Sequence, residues 1–136
     1  MILVVDASVT IAWIVEDEDS AYAEDVLAAF GTDNAVVPAL WHWEISNTLM
    51  VLERKGRLAD ATTTFAQVLR FPIVVEQLAY SYDRRATLEL ELARKHRLSV
   101  YDAAYLALAK STSHLLATID LRLADAARAE GFLYEP

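Results

Sequence analysis

The apolar positions of this chain switch between two periods. Ile2–Val5 is a short unbroken run rich in β-branched residues, the mark of a strand buried on both faces. Ala35–Val37, closed by Pro38, then Ile73–Val75 and His114–Thr118 read as three more strands, with Phe132–Tyr134 as a fifth at an edge. Between them apolar residues recur at helical spacing. Helices are predicted from a Ser8 cap to Val15, over Tyr22–Phe30, Leu40–Lys55, Leu58–Arg70, Tyr82–His96 and Leu121–Glu130, and from a Ser99 cap over Val100–Lys110. Tyr22, Val26, Leu27 and Phe30 form one buried face, and Trp41, Ile45, Leu49 and Leu52 another. Leu88-Glu89-Leu90-Glu91-Leu92 alternates as a strand would, but the segment reads as helix through Leu88 and Leu92. Strands alternating with helices imply an α/β fold, a parallel sheet of four to five strands with helices on both faces.

The 136 residues suit one domain, and no repeat, low-complexity segment or linker divides them. With no cysteine, thiolate chemistry and cysteine metal sites are excluded. Each of the three glycines falls just past a predicted helix end, so none is left for a phosphate-cradling loop. Asp6 interrupts the opening apolar run too early for a signal peptide, and no later stretch offers the roughly 20 apolar residues of a membrane span. The expectation is a cytoplasmic protein with no membrane partner.

Four acids stand in apolar settings where a solvated acid is out of place. Asp6 ends the first strand and Asp120 lies just beyond the fourth, so both face the crevice outside the carboxyl ends of the strands. Glu44 sits on the inner side of an apolar helix, and Asp102 opens a helix that is otherwise nearly all apolar. An Asp after a strand also serves as a turn or cap residue, and Asp102 also suits the positive end of its helix. None of the four has a lysine or arginine three or four residues ahead to neutralise it. Clustered carboxylates repel one another unless a cation offsets them, and hard oxygen ligands suit Mg²⁺ or Mn²⁺. The residues thus point to metal-assisted hydrolysis at a phosphoryl group, without naming a substrate.

Val4-Val5-Asp6-Ala7-Ser8 resembles the opening motif of PIN-domain ribonucleases. So do Pro38 with Glu44-Ile45-Ser46-Asn47, then Leu98-Ser99-Val100-Tyr101-Asp102-Ala103, and Ala117-Thr118-Ile119-Asp120-Leu121-Arg122-Leu123. The ordered set spans essentially the whole chain and is similar to the VapC-type toxins of toxin–antitoxin pairs. The resemblance implies a PIN-like, Rossmann-like sheet on which Asp6, Glu44, Asp102 and Asp120 converge on Mg²⁺ or Mn²⁺. It implies an endoribonuclease leaving 5′-phosphate and 3′-hydroxyl ends. Asp6 and Asp102 would be the direct ligands, Glu44 would bind metal or orient the attacking water, and Asp120 would complete the site directly or through water. Ser8, Asn47 and Thr118 would steer the carboxylates or water. The implied partners are RNA, a small antitoxin protein that blocks the site with a basic residue, and a second copy of the chain in a homodimer or larger toxin–antitoxin assembly. Some relatives carry a further acid just after the last Asp; here Leu121-Arg122-Leu123-Ala124 follows, and Asp125 reads as a solvated helix residue.

Arg54, Lys55 and Arg57, and Arg94, Lys95 and Arg97, are candidates for the RNA backbone, with Arg84 and Arg85 behind them. His42, His96 and His114 share no metal-ligand spacing, and Trp43 falls off the main stripe of its helix, where it is available to a partner. A phosphoacceptor or phosphatase α/β domain lacks its second acid, since Ala7 and Ser8 follow Asp6; a silent PIN fold used only for binding would not need all four acids. The net charge of −8 argues against RNA only until it is divided. Six acids (Glu16, Asp17, Glu18, Asp19, Glu24, Asp25) form one run and four belong to the crevice, leaving ten acids against twelve bases elsewhere.

Overall fold

A computed structural model describes residues 1–15, 20–77 and 82–136. The Glu16–Asp19 part of the acidic run lies outside them; Glu24 and Asp25 are exposed. The elements follow in the order β1 (Leu3–Val5), α1 (Ala7–Ile14), α2 (Ala21–Phe30), β2 (Ala35–Val37), α3 (Leu40–Arg54), α4 (Ala61–Val68), β3 (Ile73–Val75), α5 (Tyr82–His96), α6 (Val100–Thr112), β4 (Leu115–Ala117) and α7 (Leu121–Glu130). The strands form an all-parallel sheet in the order β3-β2-β1-β4. The order reverses at β1, whose neighbours are β2 and β4, and this switch point is where an open α/β sheet forms its crevice.

The sheet's two faces bury into separate clusters. Leu3, Val5, Ala35 and Ala117 pack with Val9 of α1 and with Ala23, Val26 and Phe30 of α2. Val4 and Leu116 face the opposite cluster, built from Trp41, Ile45, Leu49 and Leu52 of α3 and from α6. Ala103 to Ala109 of α6 are buried without interruption, which is why that helix is polar only in its first and last turns. Helices therefore cover both faces, as the alternating pattern implies.

Where sequence and structure differ, local hydrogen bonding explains the shift. Asp6, not Ser8, caps α1, because its extended backbone lets the carboxylate accept from Val9 N–H one turn on. The helix expected from Leu58 begins at Ala61, because Asp60 caps it at Thr63 N–H, and it ends at Val68. α6 runs on to Thr112 and is stopped by Ser113 in a left-handed conformation, which shortens β4. Ala23 rather than Leu27 fills the buried face of α2. Phe132–Tyr134 forms only an isolated parallel bridge, Leu116 to Leu133. All three glycines do sit past helix ends at positive φ.

Candidate active site

The crevice at the switch point is organised around Asp6, which is only 5% exposed. One carboxylate oxygen accepts from Ser8 Oγ at 2.6 Å and from Val9 N at 3.3 Å, and the other from Thr118 Oγ1 at 2.6 Å. Each hydroxyl that donates to Asp6 also accepts from the backbone after β4: Ser8 Oγ from Ile119 N at 3.1 Å, and Thr118 Oγ1 from Asp120 N at 3.0 Å. Two hydroxyl relays thus clasp the β4–α7 turn onto the end of β1. Three of the roughly four acceptor positions of Asp6 are filled, which leaves one, on Oδ2, for the crevice. Burial pushes the Asp6 carboxyl up to about 6, against the pull of these hydrogen bonds and with a further push from Asp102.

Asp102 links the four acids. Half-buried in the first turn of α6, it raises the pKa of both Asp6 and Glu44 through charge repulsion, and Asp120 raises that of Asp102. In Glu44 and Asp102 burial is the larger cause. Asp120 is exposed and caps α7 at Leu123 N–H, 2.9 Å away. Glu44, half-buried on α3, is held by a hydroxyl the sequence reading did not single out: Tyr105 Oη donates to its Oε1 at 2.8 Å. Tyr105 is 1% exposed, and burial followed by the Glu44 charge raises its pKa. Its position one turn after Asp102 was the available signal.

Of the three polar neighbours, Ser8 and Thr118 reach a carboxylate. Asn47 instead lines an open groove of about 480 Å³ with Leu40, Trp43, Glu44, Ser99, Tyr101 and Asp102. The basic candidates lie elsewhere. Arg54 is ten residues along α3 from Glu44, about 15 Å. Lys95 is committed to Glu130, which also binds His96 and Lys110 at 2.7 Å and is held down to about 2 by the three. Arg94 and Arg97 are exposed. Arg85 is no surface contact for RNA: it is buried and forks onto Glu76 at 2.7 and 3.0 Å, because a guanidinium leaves water only with a carboxylate to match it. Asp125 is solvated and pairs with Arg128.

No basic side chain among the described residues forms an ion pair with any of the four acids. Nor do three His, Asp or Glu side chains among them close into a coordination shell. Mg²⁺ needs fewer, since it commonly takes one or two carboxylates and completes its octahedron with water and substrate phosphate. An all-oxygen donor set with uncompensated mutual repulsion fits such a cation.

The profile of the PIN domain matches residues 3–129. The chain belongs to the PIN-domain family. Ribonuclease VapC3 of Pyrobaculum aerophilum is 33% identical to this PIN domain over 127 residues, 92% of the chain and 94% of the relative. Ribonuclease VapC9 of Mycobacterium tuberculosis is 32% identical over 135 residues, 94% and 93% of the two chains. The crystal structure of PAE2754 from Pyrobaculum aerophilum superposes with a TM-score of 0.64 at 26% identity, covering 92% of this PIN domain and 78% of that chain. A toxin–antitoxin complex from Klebsiella pneumoniae shares the fold, with a TM-score of 0.59 at 16% identity over 87% and 86% of the chains. This PIN domain is thus homologous to the VapC-type toxin ribonucleases, and its parallel α/β sheet is the PIN architecture.

Proposed function

We propose that this chain is a single-domain, divalent-metal-dependent endoribonuclease and the toxin of a type II toxin–antitoxin pair, working in the cytoplasm with Mg²⁺ or Mn²⁺. The observation that carries the reading is a buried, hydrogen-bonded carboxylate coupled to further acids, none with a basic partner among the described residues. The ribonuclease names of relatives matched over nine-tenths of the chain support it. Asp6 and Asp102 would hold the cation, with Glu44 and Asp120 completing its surroundings. Bound there, the cation would acidify a water and offset charge developing on the phosphodiester.

The chain's own contribution is positioning. Ser8 and Thr118 fix both oxygens of Asp6, so the remaining acceptor on Oδ2 keeps one direction. Tyr105 fixes Oε1 of Glu44 and leaves Oε2 to orient the attacking water; the raised pKa of Glu44 makes it a better proton acceptor than a solvated glutamate. Arg54, Lys55, Arg57, Arg94 and Arg97 would meet the RNA backbone beyond the crevice. We assign the antitoxin partner and the homodimer on the same footing.

The test is cleavage of structured RNA by the purified chain with Mg²⁺ or Mn²⁺, followed by EDTA. Cleavage lost on chelation, and lost in Asp6→Asn and Asp102→Asn, is expected. Cleavage that survives chelation or either substitution would overturn the mechanism. Absence of both Mn²⁺ binding and cleavage would favour a silent PIN fold.

A further inference from the structure

At the β4 edge of the sheet the pairing stops one rung early, and a side chain stands in the gap. The Phe132–Tyr134 segment runs parallel to β4 and makes two regular rungs with it. Leu116 N donates to Phe132 O at 2.6 Å, and Tyr134 N donates to Leu116 O at 2.9 Å. Hydrogen bonds of a parallel pair are evenly spaced, so the next rung would run from Thr118 N to Tyr134 O. Tyr134 O instead accepts from the Tyr22 hydroxyl at 2.8 Å, across 112 residues of chain. Among the described residues no backbone carbonyl takes the Thr118 N–H, although Thr118 is only 4% exposed.

A buried N–H is rarely left without an acceptor. The Tyr22 oxygen is the acceptor at hand. Burial raises the phenol to about 12 with a further push from the Asp6 charge, while the Thr118 N–H draws it down. The phenol therefore keeps its proton at neutral pH, donates it to Tyr134 O and turns a lone pair toward Thr118 N–H. Thr118 in turn donates its own hydroxyl to Asp6 Oδ2 at 2.6 Å, and that hydroxyl accepts from Asp120 N at 3.0 Å. Packing does not fix Thr118 from the sheet edge, where Tyr22, Thr118 and Tyr134 share the lining of an open cavity of about 300 Å³. The hydroxyl wedge holds it there.

We propose that Tyr22 is a positioning residue for Asp6: its hydroxyl, spliced into the ladder between Thr118 and Tyr134, sets the place from which Thr118 holds Oδ2. Without that hydroxyl, Thr118 N–H closes directly onto Tyr134 O, which draws Thr118 toward the sheet edge and away from Asp6. The bearing of the wedge on a cation rests on the nuclease reading above; the wedge itself does not.

The test compares the full chain with Tyr22→Phe, Thr118→Val, the double variant, and Tyr134→Phe, which keeps the carbonyl that the wedge uses. Phe at position 22 keeps the ring that lies 6.3 Å from that of Tyr134, and thermal melts verify that each variant folds. Two NMR signals are followed without metal, the Thr118 amide and the Asp6 carboxyl carbon. Mn²⁺ affinity is measured by calorimetry, and cleavage on an unstructured oligoribonucleotide with Mg²⁺. Tyr22→Phe is expected to move both signals and to weaken Mn²⁺ binding roughly 3- to 10-fold, less than the roughly 10- to 100-fold of Thr118→Val, whose hydroxyl touches the carboxylate. Any loss of cleavage should fall on kcat and leave the KM for RNA unchanged. Because Tyr22 acts through Thr118, the double variant should bind Mn²⁺ no more weakly than Thr118→Val alone. Losses that multiply in the double variant, or a Tyr134→Phe that reproduces Tyr22→Phe, would overturn the proposal. Cleavage and Mn²⁺ binding by the natural chain, with both signals unmoved in Tyr22→Phe, would overturn the wedge and leave the nuclease reading intact. Both signals moved, in a natural chain that neither binds Mn²⁺ nor cleaves, would uphold the wedge and remove the nuclease reading.

Discussion

Replacing Asp6 by Asn keeps the shape of a buried side chain while deleting its charge. The carboxyl is pushed from 3.8 to about 6 in the folded chain, a difference of about 2 units or ~3 kcal/mol. Because the folded pKa lies above the unfolded one, the folded state holds this proton more tightly. The stabilisation is complete below pH 3.8 and is lost as pH rises through about 6. Glu44 and Asp102, also raised, act with the same sign. Glu130 acts oppositely: held near 2 against 4.5, it stabilises above pH 4.5 and loses that contribution as pH falls toward 2. Metal-free stability should therefore peak near pH 4–5. In Asp6→Asn the decline above the peak should shrink. At pH 7.5 the variant should be about 1–2 kcal/mol more stable, since turning one hydroxyl to meet the new amide costs about 1 kcal/mol of the ~3. Urea unfolding in EDTA from pH 4 to 8 measures both curves. Saturating Mn²⁺, at about 100 times its Kd, should then add about 2.7 kcal/mol to the natural chain and little to the variant. Parallel pH curves, or a variant less stable at pH 7.5, would refute the claim that the Asp6 charge is buried at a cost.

Tyr105→Phe removes the hydroxyl on Glu44, so the Glu44 pKa should rise further and the acid limb of the cleavage profile should move to higher pH, at a stability cost of about 1 kcal/mol. Glu130→Gln unties Lys95, His96 and Lys110 and should destabilise by about 1–3 kcal/mol at neutral pH, with the gap to the natural chain closing between pH 4.5 and 2 and cleavage unaffected. Leu49→Ala opens a cavity under α3 and should cost about 2–5 kcal/mol in a thermal or urea melt.

Much of this architecture is legible in periodicity, because burial imposes it. The α3 stripe Trp41-Ile45-Leu49-Leu52 is the set of residues that helix buries, and the alternating Leu88–Leu92 stretch is helical because Leu92 packs inward while Leu90 stays exposed. The pairing of Asp6 with the β4 end was legible too, because a parallel sheet brings strand ends to one edge. What was not legible depends on contacts distant in sequence. The Tyr105–Glu44 bond spans 61 residues, and whether Arg85 meets RNA or Glu76 depends on how α5 lies beside the end of β3. Cap choice failed at a finer scale: Asp6 and Ser8 can each cap α1, and geometry gives that role to the carboxylate while the hydroxyl bridges to Ile119.

The hydroxyl relays join residues 6 and 8 to residues 118 and 119, across 112 and 111 positions of chain. A polypeptide emerging from the ribosome presents Asp6 112 residues before the Thr118 that completes its hydrogen bonds. Until residues 115–118 have been made, Asp6 lacks the Thr118 hydroxyl and the neighbouring strand β4. A chain that stops short of residue 118 lacks both the hydroxyl on Asp6 Oδ2 and Asp120 itself. The environment of Asp6 is therefore set by a segment made more than a hundred residues after it, a dependence built into the topology of the sheet.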